Sequence, residues 1–249
     1  CGATINPSTP CKIDVTFAPT AAAVSTDTID INYNDGVGLQ TSSRDVTGTG
    51  IAPALLTLSE SDPYDYGLVA NGGNASHLFV LTNSGGSTAT ALAEVGLAVP
   101  FGFAGGGYPG TGGNCGVSLA AGASCNLVID FDPVALGAFG DTIDISYNNG
   151  AVVQNATRDV QGTGGAPASL AIAGPDPYDF GTRANGSTTA VVLTVSNSGA
   201  VPATSLADGL GLAAPFDWTG GSYPGTAGTC GATLAAAASC DIEVQYNPS

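Results

Sequence analysis

Apolar and polar residues alternate with a period of two along several stretches of this chain. Leu127, Ile129 and Phe131 alternate with Val128 and Asp130, and Ile143, Ile145 and Tyr147 alternate with Asp144 and Ser146. That period predicts antiparallel strands with one buried face. His77–Leu81 and Thr189–Val195 are further β-rich runs, each followed by an Asn-Ser-Gly turn (83–85 and 197–199). Asn149-Gly150, between two alternating runs, predicts a hairpin turn, because Asn and Gly tolerate positive φ. Tyr-Pro-Gly-Thr (108–111 and 223–226) predicts a type II turn, with Pro fixing φ and Gly supplying the positive φ. No segment has a helical period.

The pattern repeats. Asp27-Thr-Ile-Asp-Ile-Asn-Tyr-Asn-Asp-Gly36 returns as Asp141-Thr-Ile-Asp-Ile-Ser-Tyr-Asn-Asn-Gly150, and Arg44-Asp-Val-Thr-Gly-Thr-Gly50 returns as Arg158-Asp-Val-Gln-Gly-Thr-Gly164. Pro63-Tyr-Asp-Tyr-Gly67 returns as Pro177-Tyr-Asp-Phe-Gly181. The offset is about 114 residues, the size of a whole domain, which excludes a short-unit solenoid. The expected organisation is the back part of one repeat (1–50), a complete repeat (51–164) and the front part of a third (165–249). Seven or so short strands in such a length predict an all-β chain of tandem immunoglobulin-like antiparallel β-sandwiches.

The six cysteines form pairs of one spacing, Cys1/Cys11, Cys115/Cys125 and Cys230/Cys240, at the same point of each repeat. Six cysteines allow fifteen connectivities in principle. The repeat selects pairing within each copy, since every complete copy must staple itself. Closing so short a loop contributes about 3 kcal/mol in the chain-entropy model. A zinc site wants four ligands and finds two cysteines per repeat and one histidine in the whole chain. Stable disulfides imply an oxidising compartment, so the chain is expected outside the cell or on its surface.

Composition narrows the function classes. Twenty acids against four bases give a formal net charge of −16, which repels phosphate backbones and anionic lipids. Nucleic-acid partners are disfavoured, and no apolar run is long enough for a membrane helix. The sequence contains no methionine and no signal peptide, so it reads as mature or partial, with any export signal outside it.

The run Cys115…Leu119-Ala-Ala-Gly-Ala-Ser-Cys125-Asn-Leu-Val-Ile-Asp-Phe-Asp-Pro133, with its copy Cys11-Lys-Ile-Asp-Val-Thr-Phe-Ala-Pro-Thr20, resembles a motif of bacterial choice-of-anchor D surface proteins, relatives of the ASPM–SPD-2–Hydin (ASH-like) immunoglobulin-type domains. Tyr178-Asp-Phe-Gly181 and Thr194-Val-Ser-Asn-Ser-Gly199 are similar to that family's early strands. The resemblance spans the whole sequence and implies a secreted or surface-displayed bacterial array. The loop departs from the family where Ala237 replaces Gly122 and where Pro10 precedes Cys11.

Candidate chemistry is sparse. His77 is the only histidine and its counterpart is Val191, so no repeated base supports a serine-nucleophile mechanism, and the chain is read as a non-enzyme without a required cofactor. The repeated carboxylates Asp27, Asp30, Asp141 and Asp144 are expected on hairpins, with Asp30 facing Arg44 and Asp144 facing Arg158 as cross-strand ion pairs. Asp62, Asp65, Asp176 and Asp179 are expected in turns, with Ca²⁺ at the domain boundary as the functional alternative. Trp218 stands where the preceding copy has Phe103 and is expected to pack; the other use of such a ring is stacking on carbohydrate. The sequons at Asn74, Asn155 and Asn185 do not recur at equivalent positions. Two readings follow: a structural fibre, stalk or filament, or an adhesin whose repeats bind calcium or carbohydrate. The expected partners are neighbouring copies of the same repeat, joined covalently or head to tail.

Overall fold

The structure, a computed structural model, describes residues 1–249 and is almost wholly β. Two strands come first, β1 (Val24–Asn34) and β2 (Leu39–Thr49). The middle of the chain supplies nine: β3 (Leu56–Leu58), β4 (Tyr64–Ala70), β5 (Ala75–Asn83), β6 (Ala89–Glu94), β7 (Phe101–Phe103), β8 (Ser118–Leu119), β9 (Ser124–Phe131), β10 (Gly137–Asn148) and β11 (Val153–Gly165). Six more follow: β12 (Leu170–Ile172), β13 (Thr189–Asn197), β14 (Ala203–Thr204), β15 (Phe216–Trp218), β16 (Thr233–Leu234) and β17 (Ser239–Tyr246).

The nine middle strands make two facing sheets, β3-β5-β9-β7 and β4-β11-β10-β6-β8. The alternating runs place their apolar residues between them: Leu127, Ile129 and Phe131 of β9 and Ile143 and Ile145 of β10 are all fully buried. Twenty residues form this core, and Cys115 and Cys125 belong to it. The expected β-sandwich is therefore present. One pairing differs from an all-antiparallel reading: β4 runs parallel to β11, Val160 opposite Tyr64 and Gly165 opposite Ala70. The segment 71–152 between those strands is long enough to bring the chain back in the same direction, as parallel pairing requires.

Two local expectations are corrected. In the β10–β11 hairpin the register sets Ile143, not Asp144, opposite Arg158, and in β1–β2 it sets Ile29 opposite Arg44. A one-residue difference in register puts a side chain on the other face of a sheet. Asp144 therefore accepts from the side chain of Asn155 at 2.9 Å, and Asp30 from Ser43 at 2.6 Å, while Arg158 reaches Asp62. The Tyr-Pro-Gly-Thr turn closes one residue earlier than a type II turn. Gly110 N–H donates to Gly107 O, with a cis Tyr108–Pro109 bond between them, so the turn has the type VI arrangement. Ser222–Gly225 repeats it.

The C-terminal copy forms one sheet, β12-β13-β17-β15, and the short pair β14-β16. Its core is five residues, Val195, Ala203, Cys230, Leu234 and Ile242. The N-terminal copy contributes the isolated hairpin β1–β2.

Candidate functional site

The complete copy shows what a hairpin does in this fold. β10–β11 lies between β4 and β6, pairing with β4 through β11 and with β6 through β10. Five polar contacts hold it to the rest of the domain. The Arg158 guanidinium donates to Leu58 O at 2.8 Å and sits 3.5 Å from the Asp62 carboxylate. The Tyr147 hydroxyl accepts from Leu56 N–H at 3.3 Å. Asp65 accepts from the side chain of Gln161 at 3.0 Å, and Asp62 from Asp159 N–H at 3.1 Å. Gly162 lets the hairpin approach closely: a Cβ there would stand 2.6 Å from the Phe131 ring.

The four residues named as calcium candidates divide between these tasks and turn chemistry. Asp62 and Asp65 bind the hairpin, and Asp65 and Asp179 also cap the positive-φ glycines Gly67 and Gly181, each carboxylate accepting the glycine N–H at 2.7 Å. Asp176 is exposed. No group of three or more His, Cys, Asp and Glu side chains is gathered where it could hold a metal ion.

The sulfurs of Cys1 and Cys11, Cys115 and Cys125, and Cys230 and Cys240 are bonded within each pair. In the two copies with a sheet, each bridge ties the preceding loop to the start of a strand, β9 or β17. His77 lies on β5 with its ring stacked on Tyr64 at 4.0 Å, its Nδ1 2.8 Å from the Tyr64 hydroxyl and its Nε2 3.5 Å from Glu60. Burial, with Glu60 and Asp65 adding to it, raises the Tyr64 pKa, and burial raises that of Tyr66, whose hydroxyl donates to Ile129 O. These are packing contacts on the sandwich. Trp218 is half-buried against Tyr223 and donates through Nε1 to Asp208 at 2.9 Å.

In the C-terminal copy the hairpin's place is open. Leu170 and Ile172 are 45% and 59% exposed, where their counterparts Leu56 and Leu58 are 4% and 5%. They line an apolar groove with Val195, Leu206, Trp218 and Ile242. On β1, Ile31 and Tyr33 are 41% and 49% exposed, where Ile145 and Tyr147 are 0% and 3%. Sequence reasoning missed the use of Asp62 and Arg158 as a clamp across the sandwich, although both residues recur, Asp62 as Asp176 in the following copy and Arg158 as Arg44 in the preceding one.

No family model matches this chain, and no curated protein matches it. Solved structures do. The VesB protease of Vibrio cholerae matches at 20% identity and a TM-score of 0.35 over 43% of this chain and 31% of that one. A protein of unknown function from Porphyromonas gingivalis matches at 12% identity and 0.35 over 77% of this chain and 83% of that one. The ASH/PapD-like domain 7 of human CEP192 matches at 11% and 0.32 over 65% of this chain and 99% of that one. The fold assignment rests on the strand pairings described above.

Proposed function

We propose that this chain is a structural component of an extracellular fibre, stalk or filament of bacterial origin, built from disulfide-stapled immunoglobulin-like domains in series. The observation that carries the reading is the junction between repeats. β11 leaves the middle sandwich and only four residues separate it from β12. The two junctions are near copies, Gly48-Thr-Gly-Ile-Ala-Pro-Ala54 and Gly162-Thr-Gly-Gly-Ala-Pro-Ala168. Both are held to the domain that follows: Ala54 N–H donates to Asn149 O, and Ala200 N–H to Ala166 O, each at 2.9 Å. A short, proline-containing, hydrogen-bonded connector gives neighbouring domains a fixed relation, where a long Gly/Ser linker would give flexible beads.

The acidic surface keeps such a polymer soluble, and the disulfides suit a compartment that oxidises thiols. An adhesin built on the same repeats is the alternative reading; the recurrence of the cysteine pair, the junction and the turn motifs at one offset favours the structural one. Negative-stain electron microscopy of native material is the test. Fibres or stalks with an axial period of one domain are expected, and discrete compact particles would overturn the reading.

A further inference from the structure

We propose that the middle repeat is built to carry tension along the chain, and that segment 58–70 and residues 158–165 of β11 form the clasp that bears it. The chain enters the repeat beside the β10–β11 turn, where Ala54 N–H donates to Asn149 O at 2.9 Å. It leaves at Gly165, the last residue of β11, whose carbonyl accepts from Asn71 N–H at 2.7 Å. Entry and exit therefore lie at the two ends of one 13-residue strand, roughly 40 Å apart. β4 runs parallel to β11. A pull on the two ends of the repeat draws β4 back by its first residue, Tyr64, and β11 forward by its last. The two strands are then made to slide past each other, and sliding loads every pair of their ladder at once.

The entering segment is joined to the leaving strand along its length. The Arg158 guanidinium donates to Leu58 O of β3 and faces the Asp62 carboxylate. Asp62 also accepts from Asp159 N–H, and Asp65 from the Gln161 side chain. Five backbone pairs complete the clasp, from Val160 opposite Tyr64 to Gly165 opposite Ala70. The Arg158 side chain is 15% exposed, so its contacts are little screened by salt. On its other edge β11 pairs with β10 at twelve positions, and β3 pairs with β5 at three. With five pairs against twelve, the clasp yields before the β10–β11 hairpin does. The two residues that lock it recur, Asp62 as Asp176 and Arg158 as Arg44, as a part needed in every repeat of a loaded series should.

This geometry makes the resistance directional. A pull between the β4–β5 turn and the end of β11 meets the same ladder at its Ala70–Gly165 end and opens it one pair at a time. A pull between the ends of the repeat must break the pairs and the Arg158 contacts together. Each bond is modest by itself, so strength under load comes from breaking several in one step. Forced unfolding is governed by that barrier and not by the equilibrium stability of the domain.

The inference rests on the fibre reading only for its biological setting; its test holds single 249-residue chains between two handles at constant tension. With handles at the two chain ends, the middle repeat is expected to open in one step that lengthens the tether by roughly 300 Å, the Cys115–Cys125 loop staying closed. Moving the first handle to Asn74, exposed in the β4–β5 turn, should shorten the lifetime of the repeat at the same tension at least about 100-fold. Arg158→Leu, pulled from the chain ends, should shorten it at least about 10-fold. Near-UV circular dichroism checks that this variant keeps its core; if it does not fold, the comparison of handle positions, which leaves the core unaltered, decides. Equal lifetimes for the two handle positions, or a lifetime that Arg158→Leu leaves unchanged in a folded repeat, would overturn the clasp. Fibres in native material alongside direction-independent lifetimes would sink the clasp and leave the array standing; direction-dependent lifetimes without native fibres would do the reverse.

Discussion

Asn83 and Asn197 are the buried polar side chains of the fold, 0% and 2% exposed. The Asn83 amide donates to the carbonyls of Ser87, Leu119 and Ala120, and its oxygen accepts from Leu55 and Gly85 N–H. Asn197 repeats the set with Val201, Leu234, Ala235, Ser169 and Gly199. One side chain thus satisfies turn and loop backbone groups that have no strand partner inside the sandwich. A buried polar group that loses its partner costs about 1–3 kcal/mol. Asn83→Ala leaves several such groups at once, so a loss of about 3 kcal/mol or more is expected from chemical denaturation of the variant. Ser84→Ala, one residue away and exposed, should change stability by less than about 0.5 kcal/mol. The sequence marked these asparagines as turn residues. Their recurrence at one offset was visible; their burial was not, because a turn asparagine and a buried hub have the same local sequence.

Strand identity depends on the partner as much as on the residues. Tyr64-Asp-Tyr-Gly67 and Tyr178-Asp-Phe-Gly181 differ by one hydroxyl, yet the first belongs to β4 and the second is not a strand. The difference is β11, which supplies the ladder of parallel pairs to β4. The aromatic packing survives without it: Phe180 lies 5.7 Å from Phe216 and 5.6 Å from Tyr246, as Tyr66 lies 5.9 Å from Phe101 and 5.7 Å from Phe131. Hydrogen exchange should separate the two. Amides of β4 are expected to be protected to near the opening energy of the middle domain, and those of 178–184 to exchange at least about 100-fold faster in the unassociated chain. Equal protection in monomer would show that the ladder with β11 contributes nothing to the order of β4.

Across the whole molecule, acidity and cohesion are separate properties. The excess of acids lies largely on exposed positions, where charges are solvated and screened by salt. Carboxylates with defined partners bind protein groups: Asp62 binds Arg158, and Asp141 accepts from Ala98 N–H at 2.6 Å. The middle domain therefore carries its stability in the twenty-residue core and its disulfide. Removing divalent cations with EDTA is expected to move the thermal midpoint by no more than a few degrees, the shift that about 1 kcal/mol produces in a domain of this size. A fall of tens of degrees would assign Ca²⁺ a structural role and favour the adhesin reading.

The sequence by itself determined the period at which its motifs recur, the strand content and the buried face of the clearest strands. Each of these follows from local pattern: a period of two fixes which side chains share a face, and self-similarity fixes the repeat. Hairpin register and the parallel β4–β11 pair were decided by the tertiary structure. A register one residue away reverses the faces of a strand without changing its composition, so only the packed sandwich selects Ile143 opposite Arg158 and sends that arginine to Leu58 and Asp62. The same holds for the open groove. Leu170 and Leu56 occupy equivalent places in nearly the same sequence, and only the hairpin packed over one of them makes it part of a core.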